Sequence, residues 1–257
     1  MGRFLAIHKV SVVKEQMAHD TFDLTGLSER LFSEGRFKSL AGKIRRAQDL
    51  ASLHTDLMIA LESMDALVAS METPPQDDLN GAVTEFALLC NAVVQYARAT
   101  KTTSTERGGF DLRPRFTEEQ KLVHKELIDL RDKAIAHFGS GGSYQGLWHF
   151  EVMILQAAEN GVRAGVTTRR QTRDRNLVLR ARAQIEITKN LMSEISTRKI
   201  DEVTAELNTF APDGLEAELL PHTINLDDLM LSAEVGEEIR SSARSGGYKK
   251  GVLKHDG

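Results

Sequence analysis

The stretch that decides the fold is Leu127-Ile128-Asp129-Leu130-Arg131-Asp132-Lys133-Ala134-Ile135-Ala136-His137-Phe138. Its apolar residues continue a pattern that begins at Val123 and recurs at spacings of three and four, which is typical of a helix with one face on a core. Thr117, with carboxylates directly after it, offers an N-cap, so we predict a helix over 117–138. Glycines within 139–143 then end the helix. The polar residues that fall off the apolar stripe are Arg131, Asp132 and His137.

The composition is that of a soluble globular protein. The chain has 257 residues, enough for one large or two small domains, with 41% hydrophobic and 27% charged residues. A net charge of -4 argues against general nucleic-acid coating but allows a local basic face. The single cysteine, Cys90, excludes a disulfide framework and a cysteine-based metal site, and we expect it in the core. Apolar runs are too short for a membrane span or a signal peptide, so we expect a cytoplasmic protein without membrane contact.

Periodicity elsewhere predicts a helical bundle. From Gly42 a heptad seam runs through Ala47, Leu50, His54, Leu57, Leu61, Met64, Val68 and Met71. It indicates either a bundle helix or a dimerising coiled coil, with His54 as a core residue rather than a ligand. Paired prolines interrupt this helix, and helical periodicity returns over 79–100 and over about 174–210.

Between the last two helices the pattern changes to that of strands. Two β-favouring runs, 148–155 and 162–170, flank Glu159-Asn160-Gly161, and Asn-Gly between such runs is a strong hairpin signal. Because an isolated hairpin is marginally stable, we expect it to lie on the helices. The predicted fold class is therefore all-α for the most part, a helical bundle with one inserted β-hairpin at about 147–170.

The flanking regions carry weaker signals. We predict an N-terminal arm over 1–41, in which 20–26 forms a loop, and a C-terminal extension over 211–257 with short helices. The bundle itself is expected to occupy 42–210.

Arg131 and His137 are the residue types that cut a phosphodiester without a metal ion. Such an enzyme needs a group that moves protons, which suits histidine, and a fixed positive charge for the developing oxyanion, which suits arginine. On one α-helix the two residues are separated by about 9 Å of rise and about 240° of rotation, so they share no stripe. A frayed last turn or a dimer axis would bring them together. Alternatively, Arg131 pairs with an acidic neighbour and His137 stabilises the helix C-terminus.

The segment Arg131-Asp132-Lys133-Ala134-Ile135-Ala136-His137 resembles the signature of the HEPN superfamily. That signature is an arginine, then four to six residues of which the first is polar, and then a histidine. The segment is especially similar to HEPN members tied to abortive phage infection, whose motif reads Arg-Asn/Asp-Lys followed by apolar residues and Ala-His. With long helices before and after the motif, the resemblance extends over roughly 42–210.

The resemblance implies a compact, dimerising helical bundle and a metal-independent endoribonuclease of toxin or phage-defence type. The catalytic residues would be Arg131 and His137 at a dimer cleft, with Asp132 as the supporting polar residue. The expected partners are an RNA substrate, a second copy of the chain, and an antitoxin or defence-system protein, with no cofactor. One HEPN group is silenced through a tyrosine two positions after the histidine; here Gly139 stands there, so that regulation is not expected.

A cluster of arginines follows the motif, with only Asp174 opposing it: Arg163, Arg169, Arg170, Arg173, Arg175, Arg180 and Arg182. We predict that Arg163, Arg169, Arg170 and Arg173 bind the RNA backbone. The alternative is a solvated surface whose arginines pair with acidic residues. Tyr144 and Trp148 are predicted to stack on bases, although Trp148 is also suited to packing within the hairpin.

Other chemistries have little support in the sequence. There is no His-Glu-x-x-His, and the glycine-rich 139–143 lacks the Gly-Lys-Ser/Thr ending of a phosphate-binding loop, so we expect no metal site. Glu126 and Asp129 are more consistent with ion pairing than with an acid–base dyad. The main rival is a non-catalytic HEPN-like module that binds RNA, a nucleotide or a protein partner, and the third hypothesis is a structural helical dimer.

Overall fold

The computed structural model describes residues 21–72, 79–101, 104–135, 149–158, 161–170, 174–210, 215–230 and 232–245. Within these residues the chain is mostly α-helical with one long antiparallel hairpin, which confirms the predicted fold class. The α-helices are α1 (Leu24–Ser33), α2 (Lys38–Glu72), α3 (Leu79–Thr100), α4 (Glu118–Leu130), α5 (Arg175–Phe210), α6 (Leu215–Leu219), α7 (Leu226–Leu229) and α8 (Ala233–Arg244). The strands are β1 (Thr21–Phe22), β2 (His149–Ala158), β3 (Gly161–Arg170) and β4 (Thr223–Ile224).

The larger of two compact units, 46–200, is a bundle whose core is built by α2, α3, α4 and α5. On α2 the residues without exposed surface include Leu50, Leu53, Leu57, Met64 and Leu67. This stripe is wider than a two-position coiled-coil seam, as expected for a helix with several neighbours in a bundle. His54 and Cys90, which were both expected in the core, are half-buried.

The helix that carries the motif begins as predicted and changes type near its end. Thr117 Oγ1 accepts a hydrogen bond from the Gln120 backbone N–H at 3.2 Å, and Gln120 Oε1 accepts one from the Thr117 backbone N–H at 3.0 Å. This capping box fixes the first turn of α4. After Leu130 the chain forms one π-helical turn, Arg131–Ile135, where a uniform α-helix to 138 was expected. Apolar spacing does not detect such a turn, because Ala134 and Ile135 still pack against the core; the predicted end at 138 lies outside the described residues.

The predicted hairpin is present, with longer strands than expected. β2 pairs antiparallel with β3, and the register places Ala158 opposite Gly161, whose φ is 129°. Glycine accepts this positive φ without strain. One face of the hairpin carries four apolar side chains that are 66 to 76% exposed: Met153, Leu155, Val162 and Val166. This face is therefore not packed on the helices, whereas on the other face Val152 and Ile154 are half-buried. The expectation that the hairpin lies on the helices stays a prediction.

The smaller unit combines 1–45 with 201–257. Its β1 pairs antiparallel with β4, with Thr21 opposite Ile224, and Arg30 Nη2 donates to Glu218 Oε2 at 2.5 Å. The prediction of a loop over 20–26 is wrong, because α1 begins at Leu24. Asp23 Oδ1 accepts a hydrogen bond from the Thr25 backbone N–H at 2.9 Å. Asp23 is thus an N-cap that the sequence analysis took for a loop residue.

The predicted domain boundaries at 41 and 211 stay a prediction. No helix within the described ranges is both long enough and apolar enough to cross a membrane.

Candidate functional site

The site is centred on an ion-pair chain at the π-helical turn. Arg131 Nη1 donates to Asp132 Oδ1 at 2.8 Å, and the Lys101 ammonium donates to the other carboxylate oxygen, Oδ2. Arg131 keeps 38% of its side chain exposed, and Asp132 keeps 28%. The arginine is therefore anchored through one nitrogen while the rest of its guanidinium remains available to a ligand.

Asp132 is the carboxylate that joins the two cations of these ion pairs. The hydrogen bond from Lys101, followed by the one from Arg131, lowers the pKa of Asp132 below its usual value. The carboxylate is therefore ionised at neutral pH and balances one of its two cations. One positive charge is left in the group, which favours an anionic ligand such as phosphate.

Two different elements position these groups. Lys101 directly follows α3, and its backbone N–H donates to the Ala97 carbonyl at 2.9 Å, continuing the helical hydrogen bonding. Arg131 and Asp132 open the π turn, whose apolar residues Ala134 and Ile135 pack partly against the core. Turns of this type occur frequently at functional sites in α-helices.

The structure brings together only part of the predicted catalytic set. Arg131 and Asp132 are in direct contact, whereas the third catalytic candidate, His137, lies outside the described residues. The base-stacking candidates Tyr144 and Trp148 lie outside them as well. The pairing of Arg131 with an acidic neighbour is also what the structural alternative predicted, so this contact fits either role.

The arginine cluster divides into two groups. Arg163 is exposed on β3, and the same strand contains Arg169 and Arg170, whereas Arg173 lies outside the described residues. On α5, Arg180 Nη2 donates to Glu126 at 2.8 Å, and Arg182 Nε donates to Asp65 at 2.5 Å. For Arg180 and Arg182 the alternative of pairing with acidic residues is therefore what the structure shows, and Arg175, at the start of α5, is exposed.

The acidic pair on α4 is engaged in ion pairs. Glu126 accepts from Arg180, and Asp129 Oδ2 accepts from the Lys125 ammonium at 2.8 Å. The interpretation of these carboxylates as ion-pairing residues is confirmed. Throughout the residues that the structure describes, no group of three or more His, Cys, Asp or Glu side chains is arranged to hold a metal ion.

A cavity of about 490 Å³ lies beside this ion-pair chain, and the sequence analysis did not find it. Its lining residues are Thr100, Lys101, Gly109, Phe110, Asp111, Arg113, His124 and Ile128. Lys101 belongs to both features, since it lines the cavity and holds Asp132. The signal for His124 was its spacing, three residues before Leu127, which places it on the buried side of α4.

The cavity wall over 104–113 is fastened to the bundle by the side chains of Arg107 and Arg46. Arg107 Nη1 donates to Asp56 Oδ2 at 2.7 Å and its Nη2 to the Arg98 carbonyl at 3.2 Å. Arg98 Nε donates to the same Asp56 Oδ2 at 2.8 Å, and Arg46 Nη1 donates to the Gly109 carbonyl at 3.1 Å. An irregular segment with this many fixed points is held in one position against α2 and α3.

Comparison with known proteins gives no relative: no family model, no curated protein and no solved structure matches the chain.

Proposed function

We propose that this protein is an endoribonuclease of toxin or phage-defence type that cuts RNA without a metal ion. The observation that carries the proposal is a half-exposed arginine, Arg131, held by Asp132 on a π-helical turn, six positions before a histidine. The resemblance of this segment to the HEPN motif supports the same activity. The test is incubation of the purified protein with mixed RNA, beside a His137→Ala variant.

In the proposed reaction the nucleophile is the 2′-hydroxyl of the RNA itself. Its oxygen attacks the adjacent phosphorus, the bond from phosphorus to the 5′-oxygen breaks, and the products carry a 2′,3′-cyclic phosphate and a 5′-hydroxyl. His137 takes the proton from the 2′-hydroxyl or supplies one to the leaving oxygen. Arg131 holds the phosphoryl oxygens as negative charge grows on them.

Asp132 serves as a positioning residue for Arg131. Because it accepts from only one of the terminal nitrogens, Nε and Nη2 of the guanidinium keep their donors for two phosphoryl oxygens. Lys101 engages the second carboxylate oxygen and thereby fixes the carboxylate plane. This arrangement lowers the entropy that Arg131 loses when phosphate binds.

The second candidate is a non-catalytic module that binds RNA, a nucleotide or a protein. The observation that favours it is the pairing of Arg131 with Asp132, which is sufficient for a structural role. Mixed RNA that stays intact with the wild-type protein, while binding is measurable, would select this candidate over the nuclease.

We expect the protein to be a homodimer with the Arg131–Ile135 turns of the two chains near the two-fold axis. One chain presents few catalytic groups, whereas an isologous interface doubles every residue that lines it. Mass measurement in solution at micromolar concentration should give twice the chain mass. A monomer at all concentrations in this range would contradict the dimer cleft.

Charge reversal of Arg169, Arg170 and Arg173 to glutamate is expected to weaken RNA binding and flatten its salt dependence. Each lost phosphate contact lowers the slope of log affinity against log salt, so three contacts lower it by about 2. The measurement is RNA affinity at several salt concentrations. The matched control reverses three exposed cations on the helices, Lys38, Arg45 and Arg198, which changes net charge equally. An equal effect in both variants would assign the change to net charge instead of a binding track.

A further inference from the structure

The cavity beside α4 has the size of a small-ligand site. Its volume of about 490 Å³ lies within the range of about 300–1,000 Å³ that such pockets occupy. Its walls come from the end of α3, the 109–113 segment and α4. The wall that is not helical is fixed to the bundle by the arginine contacts described above, so the cavity is formed before any ligand binds.

The cavity contains a nearly buried histidine with one ring nitrogen engaged in the core. His124 is 9% exposed, and its Nδ1 lies 2.9 Å from the Tyr96 hydroxyl. Gln184 Nε2 donates to the Tyr96 oxygen at 3.4 Å, which ties this hydroxyl to α5 as well. Among the described residues Nε2 has no hydrogen-bond partner.

The protonation state of His124 follows from these contacts. Burial and the nearby Arg113 charge lower the pKa of His124, and burial raises the pKa of Tyr96 to about 12. Both groups are therefore neutral at pH 7, and in their hydrogen bond one donates and the other accepts. The second ring nitrogen, Nε2, is a donor when the tyrosine donates and an acceptor when the histidine donates. In either tautomer the cavity is lined by a ring nitrogen that can form a hydrogen bond with a ligand.

The remaining walls combine an aromatic ring with positive charge. Phe110 is half-buried, and the Arg46 guanidinium lies 5.3 Å from its ring centroid, which fixes the ring from the side of α2. Ile128 adds a second apolar surface. Lys101 and Arg113 line the cavity as cations, with Asp111 as the opposing carboxylate.

We propose that this cavity binds a nucleoside monophosphate unit, either as a free nucleotide or as one residue of an RNA chain. The planar base lies against Phe110 and Ile128, and a polar group on its edge forms a hydrogen bond with His124 Nε2. The phosphate is bound by Lys101 and Arg113. Both cations are accessible to it, since their side chains are 49% and 66% exposed, and the Lys101 ammonium has two donors besides the one that it gives to Asp132. The binding does not depend on cleavage at Arg131 and His137.

The test is titration of the full chain, carrying His137→Ala so that RNA stays intact, with the four 5′-monophosphates by calorimetry. One saturable site is expected for at least one of them. The corresponding nucleoside and ribose 5-phosphate should each bind at least about tenfold more weakly, because each lacks one of the two recognised parts. Equal binding of ribose 5-phosphate would overturn the base contacts.

Two variants connect the binding to this cavity. Ile128→Trp fills the space without removing a polar group and should abolish binding. Arg113→Ala should weaken it about tenfold, the loss of one charge-assisted hydrogen bond. Arg115→Ala, at an exposed arginine that ends the 3₁₀ turn Arg113–Arg115 and does not line the cavity, should leave affinity unchanged. Equal losses for Arg113→Ala and Arg115→Ala, or undiminished binding in Ile128→Trp, would overturn the proposal.

The source of the nucleotide is decided by competition. An oligoribonucleotide that displaces the bound monophosphate, and whose own affinity falls in Ile128→Trp, identifies a residue of RNA as the ligand. Monophosphate binding without such competition identifies a free nucleotide. The absence of saturable binding by monophosphates and oligoribonucleotide alike would overturn the site, whatever the cleavage assay shows.

Discussion

Substitution of His137 by alanine is expected to lower the rate of RNA cleavage by about 10²–10⁴-fold, the usual contribution of a general acid or base. The loss should appear in the cleavage step, because this step then lacks the group that takes the proton from the 2′-hydroxyl or supplies one to the leaving oxygen. RNA affinity should change little, since binding rests on arginines and lysines. The measurement is the rate of appearance of 2′,3′-cyclic phosphate ends under single-turnover conditions.

Arg131→Lys provides the matched test of the second catalytic group. Lysine retains the charge and loses the planar fork, so cleavage should also fall substantially if Arg131 contacts two phosphoryl oxygens. Asp132→Asn keeps the size of the side chain and removes the charge that holds Arg131 and Lys101. A smaller loss than in Arg131→Lys is expected for a residue that acts only by positioning.

Two controls address the proposed nucleophile. Cleavage should survive a chelator, because the attacking group and the proton carriers belong to the RNA and the protein. DNA of the same sequence should remain intact, since it lacks the 2′-hydroxyl. Cleavage abolished by chelator, or undiminished in His137→Ala, would falsify the mechanism and leave His137 with a role at the helix end.

Apolar periodicity predicted the long helices because their burial is set by one continuous core. α3 spans the expected 79–100, α5 begins one residue after the expected 174, and both strands of the hairpin were found, the first ending at Ala158 and the second beginning at Gly161. These elements follow from local rules of spacing and turn chemistry, which a single sequence contains in full.

The features that the sequence did not disclose depend on contacts between distant residues. Lys101 and Asp132 are thirty-one positions apart, and no local pattern links them. His124 contacts Tyr96, twenty-eight positions earlier, and no local pattern links these two residues either. The π turn at Arg131 also lacks a sequence signal, since it preserves the burial of Ala134 and Ile135. The sequence was therefore sufficient to single out Arg131 and Asp132 as candidate site residues. It was not sufficient to find Lys101, which binds Asp132.

The second large effect expected is on stability, at the buried carboxylate that fastens the cavity wall. The Asp56 side chain is only 4% exposed and accepts from both Arg98 and Arg107. Removal of both cations, in Arg98→Ala/Arg107→Ala, leaves a buried charge without compensation. This variant should lose about 3–5 kcal/mol of the free energy of unfolding, as when a buried ion pair loses one side.

Asp56→Ala should cost less than the double arginine variant, although it breaks the same contacts. The arginines it leaves behind are 47% and 19% exposed and are better able to recover hydration than the carboxylate. Adding Asp56→Ala to the double arginine variant should therefore restore part of the lost stability. Arg113→Ala, which breaks an exposed pair with Asp111, is the surface control and should cost about 0–1 kcal/mol. Denaturant unfolding of the four variants decides the order. If Asp56→Ala proves the most costly variant, the contacts of Asp56 with Arg98 and Arg107 stabilise the fold through packing and geometry. Compensation of the buried Asp56 charge is then not the role of the two arginines.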